Sequence, residues 1–348
     1  MLRQKKERKM ELVNVDLSQT PKKAAPKRML EMAKLSDGRY LVNINNSSIS
    51  VIQDCMRKAE YLLMRKLVNN IEAEALTAGK AIHKGLEHWY SLPEHLRQLT
   101  AHEVEFSDTL TGGPMEMPSH PYETSLDSIN EYVKAAQSLQ TLDAGDKRGL
   151  VNGIKILKAY FAHYLNDGFE IYRDEQGPFV ERHFEFKLWE DSSMIINYHG
   201  TIDCILQNKN TKEIMVVDHK TTAALGSAFF NRIKPNHQYT GYILAAHKMG
   251  INTNQLMVNG IQVAKTKCEF ARQITTRGPD DFAELLSIAI DSADRMIKAA
   301  ESGVYAQNTG ACTGFGSCTY IEVCSAPKAM RENIIKNQYS EGGINEKS

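Results

Sequence analysis

The sequence lacks a surplus of either charge, lacks long apolar runs and is sparing with cysteine. Lysine plus arginine numbers 42 and aspartate plus glutamate 42, so the formal net charge is zero. That excludes a histone-like protein that grips nucleic acid through bulk charge, but not a local basic groove balanced elsewhere. No apolar stretch reaches the roughly 18 residues of a membrane span. The basic start MLRQKKERKMELV leads into no apolar segment. It therefore does not read as a secretory leader, and an intracellular, cytoplasmic protein is expected. Six cysteines, Cys55, Cys204, Cys268, Cys312, Cys318 and Cys324, in a chain of 348 residues argue against a disulfide scaffold and turn attention to metal ligation. What is present is ordinary: 42% hydrophobic and 24% charged residues exclude wholesale disorder. The length suits two domains, or one large domain with additions.

Residues 1–45 read as a basic flexible tail, with Lys5, Lys6, Arg8, Lys9, Lys22, Lys23, Lys27 and Arg28 around Pro21 and Pro26. Such an arm is either simply solvated or in contact with nucleic acid. Asn45, Asn46, Ser47 and Ser48 form an N-cap cluster ahead of an amphipathic run holding Ile52, Met56, Ala59, Leu62 and Leu63. A second helical run contains Leu76, Ala78, Ile82, Leu86 and Trp89. Residues 105–125 read as a long connection, and helical patterns return at 126–140 and 148–165. The period then changes. FVERHFEFKL at 179–188, the stretch from Ile195 to Leu206, and EIMVVDHK at 213–220 read as consecutive antiparallel strands. A helix interrupted at Pro235 is expected between Gly226 and Met249, then strands at Leu256–Ala264 and Glu269–Thr275, and a helix at Pro279–Ser302. The layout is α/β, a mixed sheet wrapped by helices, with a helical N-terminal part and a C-terminal cysteine-rich segment.

The hairpin around QNKNTKE carries the chemistry. A turn centred between Asn210 and Thr211 sets Asp203 opposite Asp218, and opposed like charges are destabilising unless a proton or cation lies between them. A divalent cation with oxygen ligands, such as Mg²⁺, answers that repulsion. Lys220 lies two residues past Asp218, on the same face. Carboxylate, carboxylate and ammonium thereby converge, a set that can hold a metal against a phosphodiester and steady developing charge. The bland alternative is an exposed hairpin with a surface salt bridge. Cys204 and His219 alternate to the other face, where Cys204 reads as core.

At these residues the sequence resembles a known family. YHGTIDCIL and MVVDHKTT look like the core motif of the PD-(D/E)XK nuclease superfamily, in its RecB-like branch. The run AGKAIHKGLE at 78–87 resembles the upstream helix whose histidine is a metal ligand, here His83. Gln238-Tyr239-Thr240-Gly241-Tyr242 resembles the branch's Gln-x-x-x-Tyr motif, and Gln238 and Tyr242 share one helix face. Val180-Glu181 resembles the acidic residue on the preceding strand, with Glu185 as a competitor. The resemblance spans residues 46–326. It implies a restriction-endonuclease-like core with a helical insertion at about 90–165, a cysteine segment at 305–326 and a polar tail at 327–348. It further implies Mg²⁺ or Mn²⁺ held by His83, Asp203, Asp218 and the His219 backbone carbonyl, with Lys220 assisting the nucleophile and Gln238 and Tyr242 positioning DNA.

Cys312, Cys318 and Cys324 are spaced C-x5-C-x5-C, one ligand short of a four-coordinate site, and Cys55 is the candidate for the fourth. RecB-like nucleases with an iron–sulfur cluster, of the AddB and CRISPR-adaptation types, resemble this layout: one cysteine before the nuclease core and three after it. Their later spacing is commonly C-x2-C-x5-C, so this chain departs from them at the first gap. A [4Fe–4S] cluster, zinc and unligated buried thiols all remain open. A clip from Cys55 to Cys312 closes a very long loop, worth at most about 5 kcal/mol by cross-link entropy.

The reading that follows is a metal-dependent deoxyribonuclease, an exonuclease of recombination, repair or replication, with a recombination or replication protein as the partner that the resemblance implies. The rivals are a non-catalytic DNA-binding or assembly subunit that keeps the fold and the cluster, and an RNA nuclease.

Overall fold

The computed structural model describes residues 30–69, 74–94, 96–97, 123–142, 146–313 and 317–341. The greater part of the presumed tail and of the 105–125 connection lies outside these.

One sheet organises the chain. Its spine is a long strand, β8 (Met194–Asn208). Along one edge β8 pairs antiparallel with β7 (Val180–Glu190), and beyond it with β4 (Phe169–Ile171). The short hairpin β5 (Arg173–Asp174) and β6 (Gly177–Pro178) joins β4 to β7. Along its other edge β8 has two partners in succession. Residues 194–198 pair in parallel with β2 (Tyr40–Ile44), and residues 204–207 pair antiparallel with β9 (Ile214–Thr222). β9 then pairs in parallel with β10 (Gln255–Gln262), and β10 antiparallel with β11 (Phe270–Thr276). The parallel β9–β10 step needs a crossover, and two helices supply it, Ser227–Phe230 and His237–Lys248, split before Pro235 as the sequence leads one to expect.

Helices cover the sheet. Asn46–Asp54, His237–Lys248 and Pro279–Ser302 contribute to one buried cluster with Val42, Ile44, Ile196, Tyr198 and Val216. Glu74–Ser91, Glu123–Ala135 and Leu150–His163 form the other with Cys204, Leu206, Val217 and Met257. Local signals fix the helix ends. Asn45 and Ser48 close a reciprocal capping box, and Gly303, at φ 67°, ends the helix that Pro279 starts.

Three expectations are corrected. Residues 30–44, read as tail, form β1 (Leu30–Lys34) and β2, with Val42 and Ile44 fully buried. Their partners are remote in sequence, so local periodicity over five residues could not reveal them. Residues 328–341, read as polar tail, form the helix Lys328–Gln338 and a strand, Tyr339–Glu341, paired with β3 (Leu67–Asn69). Ile335 and Tyr339 are buried there against Tyr61, Leu67, Tyr320 and Val323. The amphipathic run from Ile52 to Leu63 is not one helix but breaks at Cys55, whose backbone is extended at φ −162° and ψ 121°.

Candidate active site

The site forms where the sheet forks. The free edge of β8 runs from Tyr198, the last residue paired with β2, to Cys204, the first paired with β9. Asp203 stands at the end of that gap. The β8–β9 register, Cys204 with Val217 and Ile205 with Val216, is the one that a turn centred between Asn210 and Thr211 dictates, and it leaves Asp203 and Asp218 as the next opposed pair. Here the ladder gives way to a side chain: the His219 N–H donates to Asp203 Oδ2 at 2.8 Å.

Two further elements approach Asp203. The helix Glu74–Ser91 brings His83 Nδ1 to 3.6 Å from Asp203 Oδ2. It comes this close because Gly79, one turn earlier, has no side chain: a Cβ there would meet Thr221 Oγ1 at 3.1 Å. On β7, Glu181 sits between the pairs Val180–Cys204 and Arg182–Ile202, opposite Asp203, with φ 48°. A left-handed backbone at a non-glycine residue costs about 1–3 kcal/mol and clusters at functional sites. Ligand atoms of His83, Glu181 and Asp203 lie within 4.8 Å of one another. Glu185, the competing acid, is exposed.

Asp218 is 1% exposed. Its Oδ1 accepts from Lys220 Nζ at 3.0 Å, and its buried Oδ2 has no hydrogen-bond partner among the described residues. Burial pushes its pKa up to about 6, with Lys220 pulling down and Asp203 pushing up. Burial and then Asp203 push Glu181 up to about 8. Burial opposes the charge on Lys220, but Asp218 and Asp203 outweigh it and hold the ammonium protonated. A crowded set of oxygens, one imidazole and an orphaned buried carboxylate oxygen fits a hard divalent cation such as Mg²⁺ or Mn²⁺.

An acid whose pKa is higher folded than unfolded keeps its proton longer in the folded chain. Metal-free protein should therefore lose stability as pH rises from the ordinary carboxylate range near 4 toward the Glu181 value of about 8. Thermal melts of metal-free protein between about pH 5 and about pH 8 are expected to show a falling midpoint, a smaller slope in Glu181→Gln, and recovery by Mg²⁺ that is larger at the higher pH. Equal slopes in both proteins would mean that Glu181 is not pressed against Asp203.

Gln238 and Tyr242 stand on the helix His237–Lys248, with Gln238 Nε2 donating to Tyr242 Oη at 2.7 Å. Both line a groove that also contains Asp203, His183, His199, Thr201 and the first turn of the helix Asn46–Asp54. The Tyr242 ring packs edge-on against Phe184, 6.1 Å between centroids, so its body is core while its hydroxyl side meets the groove. The close approach depends on Gly241, where a Cβ would meet the Tyr198 hydroxyl at 2.3 Å. Sequence reasoning missed the wall of His183, His199 and Asn45–Ser47, because its members come from three separate elements. It also missed the His219 N–H contact, which no side-chain pattern signals. The His219 ring itself is buried and held neutral by burial, away from the ligand oxygens.

The four cysteines Cys55, Cys312, Cys318 and Cys324 line one recess, with Lys58 and Tyr320. The helix break turns Cys55 toward the C-terminal segment, where the Asn308 N–H donates to its Sγ at 3.4 Å and Asn308 Nδ2 donates to the Asp54 carbonyl at 2.8 Å. Burial raises the Cys324 thiol pKa, and Cys318, Cys55 and Cys312 raise it further. Four thiols gathered in one recess fit a soft metal centre. Cys204 is buried beside His219, and Cys268 is exposed.

A family model for the PD-(D/E)XK nuclease superfamily matches residues 43–325, and the chain belongs to that superfamily. Its mixed α/β fold is consistent with the restriction-endonuclease-like architecture, and the carboxylate centre lies within the matched residues. Superfamily members are usually metal-dependent nucleases. No curated protein matches the sequence. Among solved structures the chain is similar to SSO0001, known from a crystal structure, at 13% identity and a TM-score of 0.30, over 66% of this chain and 95% of that one. No described helix is long and apolar enough to cross a membrane.

Proposed function

We propose that this chain is an intracellular Mg²⁺- or Mn²⁺-dependent deoxyribonuclease that works as an exonuclease in recombination, repair or replication, alongside a partner protein of one of those pathways. The observation that carries the nuclease reading is the convergence of His83, Glu181 and Asp203, with Asp203 lining a groove and the buried, Lys220-bonded carboxylate of Asp218 next in the strand register. His83, Glu181, Asp203 and Asp218 would hold the ion, together with the His219 backbone carbonyl. When bound, the ion supplies positive charge that polarises a phosphodiester and favours attack by water. Lys220, kept protonated by its two carboxylates, steadies negative charge at the reacting phosphate. Gln238 and Tyr242 orient the strand in the groove. The exonuclease mode and the pathway rest on the RecB-like motifs in the sequence.

Cys55, Cys312, Cys318 and Cys324 would hold a [4Fe–4S] cluster that staples the first helical segment to the C-terminal one, with zinc as the alternative occupant. The shared recess supports a common site for the four sulfurs.

Incubation with Mg²⁺ and end-labelled single-stranded DNA, duplex DNA and RNA tests the activity. Mononucleotides released from DNA are expected. Binding without cleavage would favour the non-catalytic subunit, and cleavage of RNA alone the RNA nuclease. Tyr242→Phe keeps the buried ring and removes the hydroxyl, so DNA affinity should fall about tenfold, the equivalent of one hydrogen bond, with little change in melting temperature. Unchanged affinity in both Tyr242→Phe and Gln238→Ala would restore an ordinary amphipathic helix.

A further inference from the structure

His219 stands where the helix that bears His83 meets the hairpin that bears Asp203 and Asp218, and both its backbone and its ring are engaged. Its N–H donates to Asp203 Oδ2 at 2.8 Å. Its ring meets the helix Glu74–Ser91 twice. It stacks on Tyr90, with centroids 5.2 Å apart and planes at 20°, and meets the His83 ring edge-on at 6.0 Å and 82°. His83 and Tyr90 are seven residues apart, two helical turns on one face. The ring is therefore the surface on which the histidine-bearing helix docks against the hairpin.

The ring is itself fixed from the neighbouring strand. Asn259 Nδ2, on β10 and fully buried, is 2.8 Å from His219 Nδ1 and 2.5 Å from the Tyr160 hydroxyl. Parallel pairing of His219 with Asn259 in the β9–β10 register brings them together. Behind them, the Tyr160 hydroxyl is 2.7 Å from that of Tyr90, and Arg272 bonds Tyr90 and ion-pairs with Asp167 at 2.7 Å. A polar chain buried this deeply is costly. Asn259 Oδ1 has no hydrogen-bond partner among the described residues, and the chain reaches solvent at the Arg272–Asp167 pair, whose side chains are each 13% exposed. Its forward end is the His219 backbone that grips Asp203.

We propose that His219 and Asn259 are positioning residues for the nuclease centre. Asn259 locks the His219 imidazole, and the locked ring sets the separation of His83 from Asp203. This rests on the reading that those two side chains share a divalent cation. The ring takes no part in coordination, and Asn259 touches neither metal nor DNA.

The test uses the full chain and Mn²⁺ as probe. Metal-free wild type, Asn259→Ala and Leu256→Ala are titrated with Mn²⁺ by calorimetry, and each is assayed for kcat and KM on DNA. Leu256 is a fully buried residue of the same strand, paired with Val216, and its truncation provides a comparable loss of stability away from His219. Asn259→Ala is expected to weaken Mn²⁺ binding 10- to 100-fold, the usual cost of losing an outer partner of a metal ligand, and to lower kcat with KM little changed. Leu256→Ala should bind Mn²⁺ within threefold of wild type. If Asn259→Ala fails to fold, His219→Phe, which keeps the stack on Tyr90 but cannot bond Asn259, should show the same loss. Wild-type affinity in the soluble Asn259 or His219 variant overturns the inference, as does an equal loss in Leu256→Ala. A wild-type chain that binds no Mn²⁺ overturns instead the metal-centre reading beneath it.

Discussion

Alanine at Asp218 is expected to lower DNA cleavage by about 10³-fold or more, equivalent to about 4 kcal/mol of transition-state stabilisation, without unfolding the chain. The carboxylate is 1% exposed, and one of its oxygens meets no donor among the described residues. In the absence of metal it is a buried carboxylate held by Lys220, with Tyr239 and His83 adding smaller support, and burial still pushes its pKa up to about 6. Removing it deletes a ligand and also relieves repulsion with Asp203. The metal-free variant should therefore melt no lower than wild type, while Mg²⁺ should no longer raise its melting temperature. Lys220 loses its partner, but with its side chain 34% exposed it can turn to water. Asp203→Ala should be equally inactive but less benign, since it also removes the acceptor of the His219 N–H. Cleavage at wild-type rate in both variants, under the same Mg²⁺, would sink the assigned centre. Lys220→Ala should slow turnover and leave metal affinity nearly unchanged.

Protein purified without oxygen is expected to be brown, to contain iron and sulfide, and to bleach on replacement of any one of Cys55, Cys312, Cys318 or Cys324 by alanine. The four thiols share a recess although Cys55 lies far from the others in sequence. A metal there closes most of the chain into one loop. Its loss should destabilise the protein by up to about 5 kcal/mol, the value that loop-closure entropy allows. Three thiolates left without a shared ion add to that loss. Cys204→Ala and Cys268→Ala should stay coloured, since one is packed beside His219 and the other faces solvent. Zinc found in place of iron would keep the staple and discard the cluster. No metal of either kind would return the segment to a loop with free thiols.

The local code of this chain was readable wherever the physics is local. Strand alternation and a polar seven-residue turn set the β8–β9 register, and with it the opposition of Asp203 and Asp218. Pro279 and Gly303 bracket the last long helix because one fits a first turn and the other a left-handed end. The spacing of Gln238 and Tyr242 placed both on one helix face, since that follows from 3.6 residues per turn. Resemblance to a family, not periodicity, brought forward His83 and Glu181, and the fourth ligand that a four-coordinate site needs brought forward Cys55.

Tertiary structure alone decided the rest. Strands β1 and β2 are five residues each, too short to announce themselves, and exist because the spine strand offers an edge far along the chain. The helix break at Cys55 answers to residues 305–308, which bond its flanks, and not to any local breaker. Glu181 rather than Glu185 reaches the site because the β7–β8 register sets Glu181 opposite Asp203 and Glu185 opposite His199, a pairing between distant segments. His219 reads in sequence as a residue facing away from the carboxylates, and its ring does so. Only the fork in the sheet, which frees its N–H from the ladder, turns its backbone to Asp203. Sequence determines which side chains a strand or helix can present. Which of them meet depends on contacts between distant segments, and those are set by packing.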